Sequence, residues 1–259
     1  MARQARIKSN SGIYHVMIRG INKEKIFINE LYKIKLLDII REIKEEIDFS
    51  IIAYCIMDNH LHLLIKDNDD SLAIIMKKLN VKYAMFYNRL LNRYGYVFQN
   101  RFRSEAVEND RYLLGALRYI HNNPVKANIT KNLLEYEWSS INDYINDDTQ
   151  ILCDKYLNII LNYFKDKNEF IEFHNLYDKN LYIDTIEEEH ENIQKIIKTT
   201  IEIYTSKKGI TDYKEFTQIQ KEELARMLID LHMITLNEIA GLCYLSLNKV
   251  KELNKNLNN

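Results

Sequence analysis

The stretch Ile51–Lys66, IIAYCIMDNHLHLLIK, decides the fold of the region around it. It predicts two apolar strands joined by a tight turn at residues 57–59. In the second strand, His60 and His62 alternate with leucines. Because side chains two positions apart on a strand share a face, both imidazoles point to one face and the leucines to the other.

The paired imidazoles have two interpretations. In the first, a half-buried strand simply carries two histidines on its polar face. In the second, His60 and His62 offer two neutral nitrogen ligands at the spacing that a metal ion needs. A His-x-His pair on an otherwise apolar strand favours the metal site over the packing role.

Length and composition limit the class of protein. With 259 residues, 46% of them hydrophobic, the chain can form one large domain or two smaller ones. Its three cysteines, Cys55, Cys153 and Cys243, lie far apart and form no CxxC pair, which indicates a reducing cytoplasm. The sequence shows no secretory signal and no apolar run of membrane-spanning length. We therefore expect a cytoplasmic protein with no membrane partner.

The formal net charge of −1 is distributed unevenly. Residues 1–130 contain 21 Lys and Arg against 14 Asp and Glu, whereas residues 131–259 contain 15 against 23. The basic excess lies in the part that carries the histidine pair, which suits a polyanionic partner there. A solvated surface would give the same count.

Around the histidine hairpin, the sequence predicts the order strand, helix, strand, strand, helix, strand, helix. The further elements are a strand at 13–18, a helix at 30–46 after Asn29, a helix at 72–93 capped by Asp69, Asp70 or Ser71, an extended arm or strand at 96–107, and a helix at 111–122 stopped by Pro124. This order predicts an α+β fold, a ferredoxin-like antiparallel sheet with helices on one face.

Beyond Trp138 the character of the sequence changes to an all-α C-terminal region. A polar break at 146–149 precedes predicted helices at 152–173 and 190–207, and residues 177–189 are predicted as loop or short helix. We therefore predict an α+β domain at 1–145, a helical connecting region at 146–208 and a helix-turn-helix-like domain at 209–259.

The last segment has the pattern of a helix-turn-helix. A helix at 221–231 is followed by the capping box Thr235–Glu238, which opens a second helix, and Ser246 opens a third. The third helix would offer Asn248, Lys249 and Lys251 to a groove of duplex DNA. A small helical bundle that only packs against protein is an equal alternative.

The segment LRYIHNNPVKAN, residues 117–128, supplies candidate partners for a metal. Tyr119 and Asn123 are four residues apart, so a helix places them on one face, with His121 on another. A phenol can act as a nucleophile, and a carboxamide oxygen can complete a metal's coordination. In the alternative, Tyr119 is one packing tyrosine among 18, and Asn123 is a helix stop before Pro124.

Several cations are candidates for phosphate binding. Arg101 and Arg103 alternate with Phe102, so a strand there would present arginines for phosphates and an aromatic ring for base stacking. An edge strand with outward charges is an equal alternative. Arg19 and Lys126 are weaker candidates.

The quoted motifs together resemble a known family. HLH at 60–62, FQNRF at 98–102, and RYIHNNPVKA at 118–127 followed by EYEWSS are similar to the single-tyrosine HUH transposases, and most of all to their REP-associated tyrosine transposase branch. The resemblance covers about residues 10–145 and continues more loosely to about 175. The C-terminal helices are not part of the minimal family domain.

This resemblance implies a ferredoxin-like nuclease domain that acts on single-stranded DNA hairpins near inverted repeats. His60 and His62 match the HUH motif, Tyr119 matches the nucleophile, and Asn123 matches the position of the third metal ligand. The partners expected are single-stranded or hairpin DNA, with duplex DNA at the C-terminal region. The protein would act as a monomer or a homodimer.

The chemistry of these residues agrees with that assignment. A divalent ion held by His60, His62 and Asn123 would polarise a phosphate while Tyr119 attacks, leaving a 5′-phosphotyrosyl enzyme and a 3′-hydroxyl. Imidazole and oxygen ligands suit Mn²⁺ at least as well as Mg²⁺. A tyrosine with a pKa of about 10 needs activation, and the sequence names no base.

Two other functions are open at this point. One is a catalytically silent, sequence-specific nucleic-acid-binding protein that uses the C-terminal helix-turn-helix. The other is a hydrolytic metal phosphoesterase that uses a metal-bound water, with Tyr119 in a structural role.

Overall fold

The computed structural model describes residues 7–69, 71–176, 182–209 and 216–257, without the side chains of 185–191 and 256–257. The chain forms two compact units, Met1–Asp184 and Thr185–Asn259. None of the helices in the described residues is long and apolar enough to cross a membrane.

A four-stranded antiparallel sheet, in the order β2-β3-β1-β4, forms the centre of the first unit. Its strands are β1 Ile13–Arg19, β2 Phe49–Ile56, β3 His60–Asp67 and β4 Arg103–Val107. The helices of this unit are α1 Glu30–Glu46, α2 Leu72–Leu90, α3 Asp110–Lys126, α4 Ile141–Asn146, α5 Asp154–Leu161 and α6 Lys167–Phe173. The predicted α+β class, with an antiparallel sheet followed by an all-helical C-terminal region, is confirmed. The predicted placement of the helices on one face is wrong, because α2 and α3 pack on opposite faces of the sheet.

The two faces of the sheet carry different chemistry. Pairing of β1 with β3 sets Arg19 opposite His60 and Met17 opposite His62, so these side chains share the histidine face. Helix α3 covers this face: the ring of its Tyr119 lies 5.8 Å from the ring of His62.

The other face of the sheet is apolar and carries helix α2. Gly20 extends β1 and bridges Phe98, whose ring lies 6.0 Å from that of Tyr83 in α2. The strand residues of this face that are almost fully buried are Val16, Ile18, Leu61 and Leu63. The histidine strand is therefore packed on both sides, which fixes where its imidazoles point.

The tight turn of the histidine hairpin is held from two directions. The amide of Met57 donates to the carbonyl of His60 at 2.9 Å and closes the turn. The buried Lys33 of α1 donates to Asp58 at 3.3 Å, and the Tyr136 hydroxyl donates to the carbonyl of Ile56 at 2.7 Å. The EYEWSS segment thus fixes the end of β2 immediately before the histidines.

The prediction that Pro124 stops the third helix is wrong. Helix α3 continues through Pro124 to Lys126. A proline this close to the C-terminus removes its own amide donor, but the amide of Ala127 still bonds the carbonyl of Asn123 at 3.0 Å. Tyr119 and Asn123 therefore keep regular helical spacing.

The helices of the predicted connecting region pack into the core of the first unit. Leu157, Ile160 and Phe170 belong to the same hydrophobic cluster as the sheet. His121 of α3 and His174 are both buried and lie 2.9 Å apart through their Nδ1 and Nε2 atoms, which joins α3 to the end of α6. The polar break at 146–149 is a connection on the surface. The division into domains at 1–145, 146–208 and 209–259 stays a prediction.

Other boundaries differ from the sequence expectation in detail. Helix α2 ends at Leu90, and only residues 103–107 of the predicted 96–107 arm form a regular strand. Residues from Ile183 onward are helical, although the sequence predicted loop or short helix to 189, and residues 177–181 lie outside the described part.

The cap of helix α2 comes from a residue that the sequence did not single out. Ser71 is the N-cap but makes no capping bond with its own side chain. Instead, the buried carboxylate of Asp67 accepts bonds from the amides of Ser71 and Leu72, each at 2.9 Å, and from the Ser71 hydroxyl at 2.9 Å. An acceptor at the end of β3 therefore satisfies the first turn of α2.

The second unit is helical. It contains most of α7 Ile183–Lys208, then α8 Gln218–Asp230, α9 Leu236–Cys243 and α10 Leu247–Leu257. The predicted capping box is present, with the amide of Thr235 donating to Glu238 at 2.9 Å. Tyr244, with φ at 53°, makes the short turn between α9 and α10.

We predict that Asp67→Ala lowers the free energy of unfolding by about 1–2 kcal/mol, because it leaves amide donors of the first turn of α2 unsatisfied. Urea denaturation of the purified protein measures this loss. The exposed Asp69 makes no capping bond with its side chain, so Asp69→Ala is the matched control and should change stability by less than about 0.5 kcal/mol. Equal losses in both variants would contradict the assignment of the cap.

Candidate metal centre and tyrosine site

Two imidazoles form the floor of the site. His62 is fully buried and His60 partly buried, and their ring centroids lie 5.0 Å apart. Both project from the N-terminal part of β3, directly after the tight turn. The hairpin thus presents two nitrogen ligands from a rigid strand.

Helix α3 brings the two predicted partners to these imidazoles. Asn123 Oδ1 lies 3.3 Å from His60 Nε2, and the Tyr119 ring packs edge-on to that of His62. Tyr119 is 6% exposed, which leaves its phenol almost enclosed. The strand histidines and the helix residues therefore meet at one place, as the sequence predicted.

Asp184 is a further residue of this cluster that the sequence analysis missed. Its carboxylate accepts a hydrogen bond from the Tyr119 hydroxyl, and its Oδ2 lies 3.4 Å from His62 Nε2. Ligand atoms of His60, His62 and Asp184 all lie within 4.8 Å of one another. Asp184 stands in the first turn of α7, in a stretch predicted as loop or short helix, and no spacing rule linked it to Tyr119.

The hydrogen bonds of His60 leave a nitrogen lone pair facing an oxygen. The amide nitrogen of Asn59 donates to the carbonyl of Lys23 at 3.3 Å, so its oxygen accepts from His60 Nδ1 at 2.6 Å. His60 Nε2 then carries no hydrogen and faces Asn123 Oδ1. Two acceptors at this distance fit a cation between their lone pairs.

His62 has a comparable arrangement. The Nδ1 atom of His62 lies 3.0 Å from Nε2 of the buried His15. The Nε2 atom of His62 makes no hydrogen bond within the described residues, because its contact with Asp184 lacks hydrogen-bond geometry. When Nδ1 donates to His15, Nε2 is a lone pair directed toward the carboxylate. The residues present therefore fit a divalent cation bound by two imidazoles and a carboxylate oxygen.

Ionisation in the cluster suits metal ligands. Burial, reinforced by the neighbouring His62, lowers the pKa of His60 to about 3, so the ring is neutral at pH 7. Burial alone would raise the pKa of Asp184, but its interactions with His62 and Tyr119 lower that pKa below the ordinary value. The neutral imidazole of His60 beside an ionised carboxylate is the combination of forms that binds a divalent cation.

Arg19 and Lys126 lie beside the cluster. Arg19 is 7% exposed and stands opposite His60 on β1. The Lys126 ammonium lies 4.1 Å from the centre of the Tyr119 ring. Tyr119 and Lys126 also line a cavity of about 310 Å³ together with Arg118, so positive charge surrounds the phenol.

The other predicted phosphate ligands lie on the arm, on β4 and in the second unit. Arg101 is exposed in the arm before β4, and Arg103 is exposed at the start of β4, paired with Met17. In the second unit, Asn248 and Lys251 are exposed on α10, whereas Lys249 contacts Glu222 at 3.5 Å. The DNA-binding roles of these residues stay predictions.

Comparison with known proteins finds a family that matches part of the first unit. Residues 8–123 match the family described as "Transposase IS200 like". Residues 8–123 are therefore similar to an IS200-like transposase domain, in agreement with the resemblance carried by the HLH and RYIHNNPVKA motifs.

The resemblance extends to the REP-associated branch. The chain is 26% identical over 151 residues to a Haemophilus influenzae protein assigned as a REP-associated tyrosine transposase, across 54% of this chain and 85% of that protein. A solved REP-associated tyrosine transposase bound to a REP hairpin is 18% identical, with a TM-score of 0.49, over 60% of this chain and 90% of that one. A Deinococcus radiodurans structure assigned as a transposase is 17% identical, with a TM-score of 0.34, over 47% and 97%.

We predict that His62→Ala and Asp184→Asn each weaken Mn²⁺ binding by about tenfold or more, because each removes one ligand atom from the cluster. Isothermal titration calorimetry of Mn²⁺ and of Mg²⁺ into the purified protein measures the affinity. The exposed His232 of the second unit supplies the control His232→Ala, which should bind like the native chain. Native affinity in Asp184→Asn would remove Asp184 from the ligand set.

Proposed function

We propose that the first unit is a metal-dependent endonuclease and strand transferase that cuts single-stranded or hairpin DNA through a 5′-phosphotyrosyl intermediate on Tyr119. The observation that supports this proposal is the meeting of the Tyr119 hydroxyl, the Asp184 carboxylate and the imidazoles of His60 and His62 in one buried cluster. A relative assigned as a REP-associated tyrosine transposase supports the same reaction class.

Tyr119 is the nucleophile in this proposal. Its oxygen attacks phosphorus in line, the new bond joins phosphorus to the phenol, and the bond to the 3′-oxygen breaks. The products are a 5′-phosphotyrosyl enzyme and a 3′-oxygen, which takes a proton from solvent and becomes a free 3′-hydroxyl. A second 3′-hydroxyl can reverse the step and join two strands, because the covalent link conserves the phosphoester.

Asp184 is the residue best placed to take the phenol's proton. The Tyr119 hydroxyl already donates to this carboxylate, which is ionised and so has a lone pair in position to receive the proton as the phenol oxygen attacks. This supplies the base that the sequence did not identify. The Tyr182 ring stacks on Tyr119 at 4.4 Å between ring centroids and holds the phenol in that orientation.

Cations offset the negative charge of the reacting phosphate. When bound, a divalent ion held by His60, His62 and Asp184, with Asn123 beside them, would polarise the non-bridging oxygens. Lys126 lies over the phenol ring and stabilises the developing phenolate. Arg19, next to His60 on the same sheet face, is positioned to contact a phosphate oxygen.

We further propose Mn²⁺ or Mg²⁺ as the ion, with Mn²⁺ favoured by the two imidazole ligands. We also propose that the protein acts in the cytoplasm, as a monomer or a homodimer.

We predict that Tyr119→Phe abolishes the covalent protein–DNA adduct and leaves hairpin binding within about twofold, because only the attacking oxygen is removed. Denaturing gel electrophoresis of labelled hairpin DNA, incubated with protein and Mn²⁺, detects the adduct. Tyr112 lies on the same helix, but its hydroxyl donates to Glu105, so Tyr112→Phe is the matched control and keeps the adduct.

The same experiment separates the competing reaction. If the native chain forms no adduct and Tyr119→Phe still cleaves the DNA, the result would favour hydrolysis by a metal-bound water. An adduct formed by Tyr119→Phe would contradict the choice of nucleophile.

We also propose that the second unit binds duplex DNA through α10. Helices α9 and α10 are joined by a short turn. On α10, Val250 and Leu253 are buried. An exposed stripe on the same helix is formed by Asn248, Lys251 and Lys255. That pattern of a helix packed on one side and polar on the other fits a recognition helix in the major groove.

We predict that Lys251→Ala reduces duplex affinity by about fivefold and lowers the salt dependence of binding, since one phosphate contact is lost. Fluorescence anisotropy with labelled genomic duplexes, at several salt concentrations, measures both quantities. The partly buried Lys221 of α8 lies outside the exposed stripe of α10, so Lys221→Ala should behave like the native chain. Unchanged affinity and salt slope in Lys251→Ala would reject α10 as the binding helix.

A further inference from the structure

A second cavity, of about 660 Å³, lies in the first unit between α2 and the arm at 95–102. Volumes of this order accommodate small ligands and flipped nucleobases. Its α2 wall is Ala73, Lys77, Asn80, Val81 and Ala84, which follow one another at helical spacing along one face. We call it the α2–arm pocket.

The chemistry of the α2–arm pocket is apolar inside and cationic outside. Val97 and Phe102 are buried at its arm side, while Lys77 and Arg101 are exposed. Neither cation makes a hydrogen bond or ion pair within the described residues, and no carboxylate is among the residues that line the pocket. This charge arrangement is complementary to a phosphate, with an apolar space behind it.

Two polar atoms of residues that line the pocket, Asn80 Oδ1 and Gln99 Oε1, are buried and lack a partner within the described residues. A buried amide acceptor costs free energy unless a ligand or water satisfies it. Amino groups on nucleobases are suitable donors, and the carboxamide of asparagine pairs with adenine through two bonds.

Aromatic rings stand at the mouth of the pocket. Tyr96 lines the pocket and is 83% exposed, and Tyr94 just before it is 93% exposed. Exposed aromatic rings beside cations are typical of surfaces on which unpaired bases stack. Two large exposed tyrosines on one arm have no packing role that would explain their position.

Backbone hydrogen bonds connect the pocket to the imidazoles. The amide of Gln99 donates to the carbonyl of Arg19 at 2.9 Å, and Arg19 stands opposite His60 across β1 and β3. The arm backbone is thus two inter-strand spacings, about 10 Å, from the backbone of His60, and the pocket lies on the α2 side of this sheet edge. A strand whose phosphate reaches the histidines would pass the arm within a few nucleotides.

We infer that the α2–arm pocket binds one unpaired nucleobase of the DNA strand, with the amide of Asn80 contacting the base edge and Lys77 and Arg101 contacting its phosphates. This inference rests on the proposed function, because it assigns a base subsite to the same DNA substrate.

The test is anisotropy with a fluorescent stem-loop carrying a four-nucleotide adenine overhang, placed at either end, without divalent ions. The matched probe has abasic sites in the overhang. We expect the native chain to prefer the adenine probe by about tenfold, through stacking and pairing. We expect Asn80→Leu and the pocket-filling Ala84→Phe to remove that preference while leaving affinity for the abasic probe unchanged.

Charge is tested separately from base contact. Lys77→Ala should weaken binding of both probes about equally, since it removes a phosphate contact. Lys78, the next residue, pairs with Glu46 instead and gives the matched control Lys78→Ala, which should bind like the native chain. Thermal unfolding of each variant checks that the fold is intact.

The outcomes distinguish this inference from the proposed reaction. A folded Asn80→Leu variant that keeps the full preference for the adenine probe would overturn the base subsite, as would equal native affinity for both probes. A preference that depends on Asn80, in a chain that forms no Tyr119 adduct, would uphold the subsite and reject the proposed reaction.

Discussion

The buried junction of Tyr119, Asp184 and His62 is the contact on which the candidate site depends. A carboxylate that is 7% exposed is costly unless its oxygens are paired. Tyr119 donates to one oxygen, and the other lies 3.4 Å from His62 Nε2, where a cation bound between the two atoms would offset the carboxylate's charge. Such a buried environment strengthens every electrostatic interaction at the phenol.

Rigid elements position each member of that junction. His62 projects from a strand that is hydrogen-bonded on both sides and packed on both faces. Tyr119 projects from α3, which is fixed on its opposite side by the contact of His121 with His174 and with Ser140 Oγ, each at 2.9 Å. Asp184 enters from the first turn of α7. Preorganisation of this kind reduces the cost of aligning groups during a reaction.

The sequence was sufficient for the parts of the site that follow from local periodicity. Alternation along β3 predicted that His60 and His62 share a face, and helical spacing predicted the same for Tyr119 and Asn123. It could not supply Asp184, because a contact between residues 65 positions apart depends on tertiary packing, which no local pattern encodes. Asp67 was missed for a related reason, since it caps α2 from the end of a strand.

The account's central claim is that one cation site joins the strand histidines to the carboxylate beside Tyr119. Crystals grown with Mn²⁺ and measured at the manganese absorption edge test it directly. The account predicts an anomalous peak within about 2.0–2.6 Å of His60 Nε2, His62 Nε2 and an Asp184 oxygen. A well-ordered site with no peak there, or with manganese bound only at other residues, would contradict it.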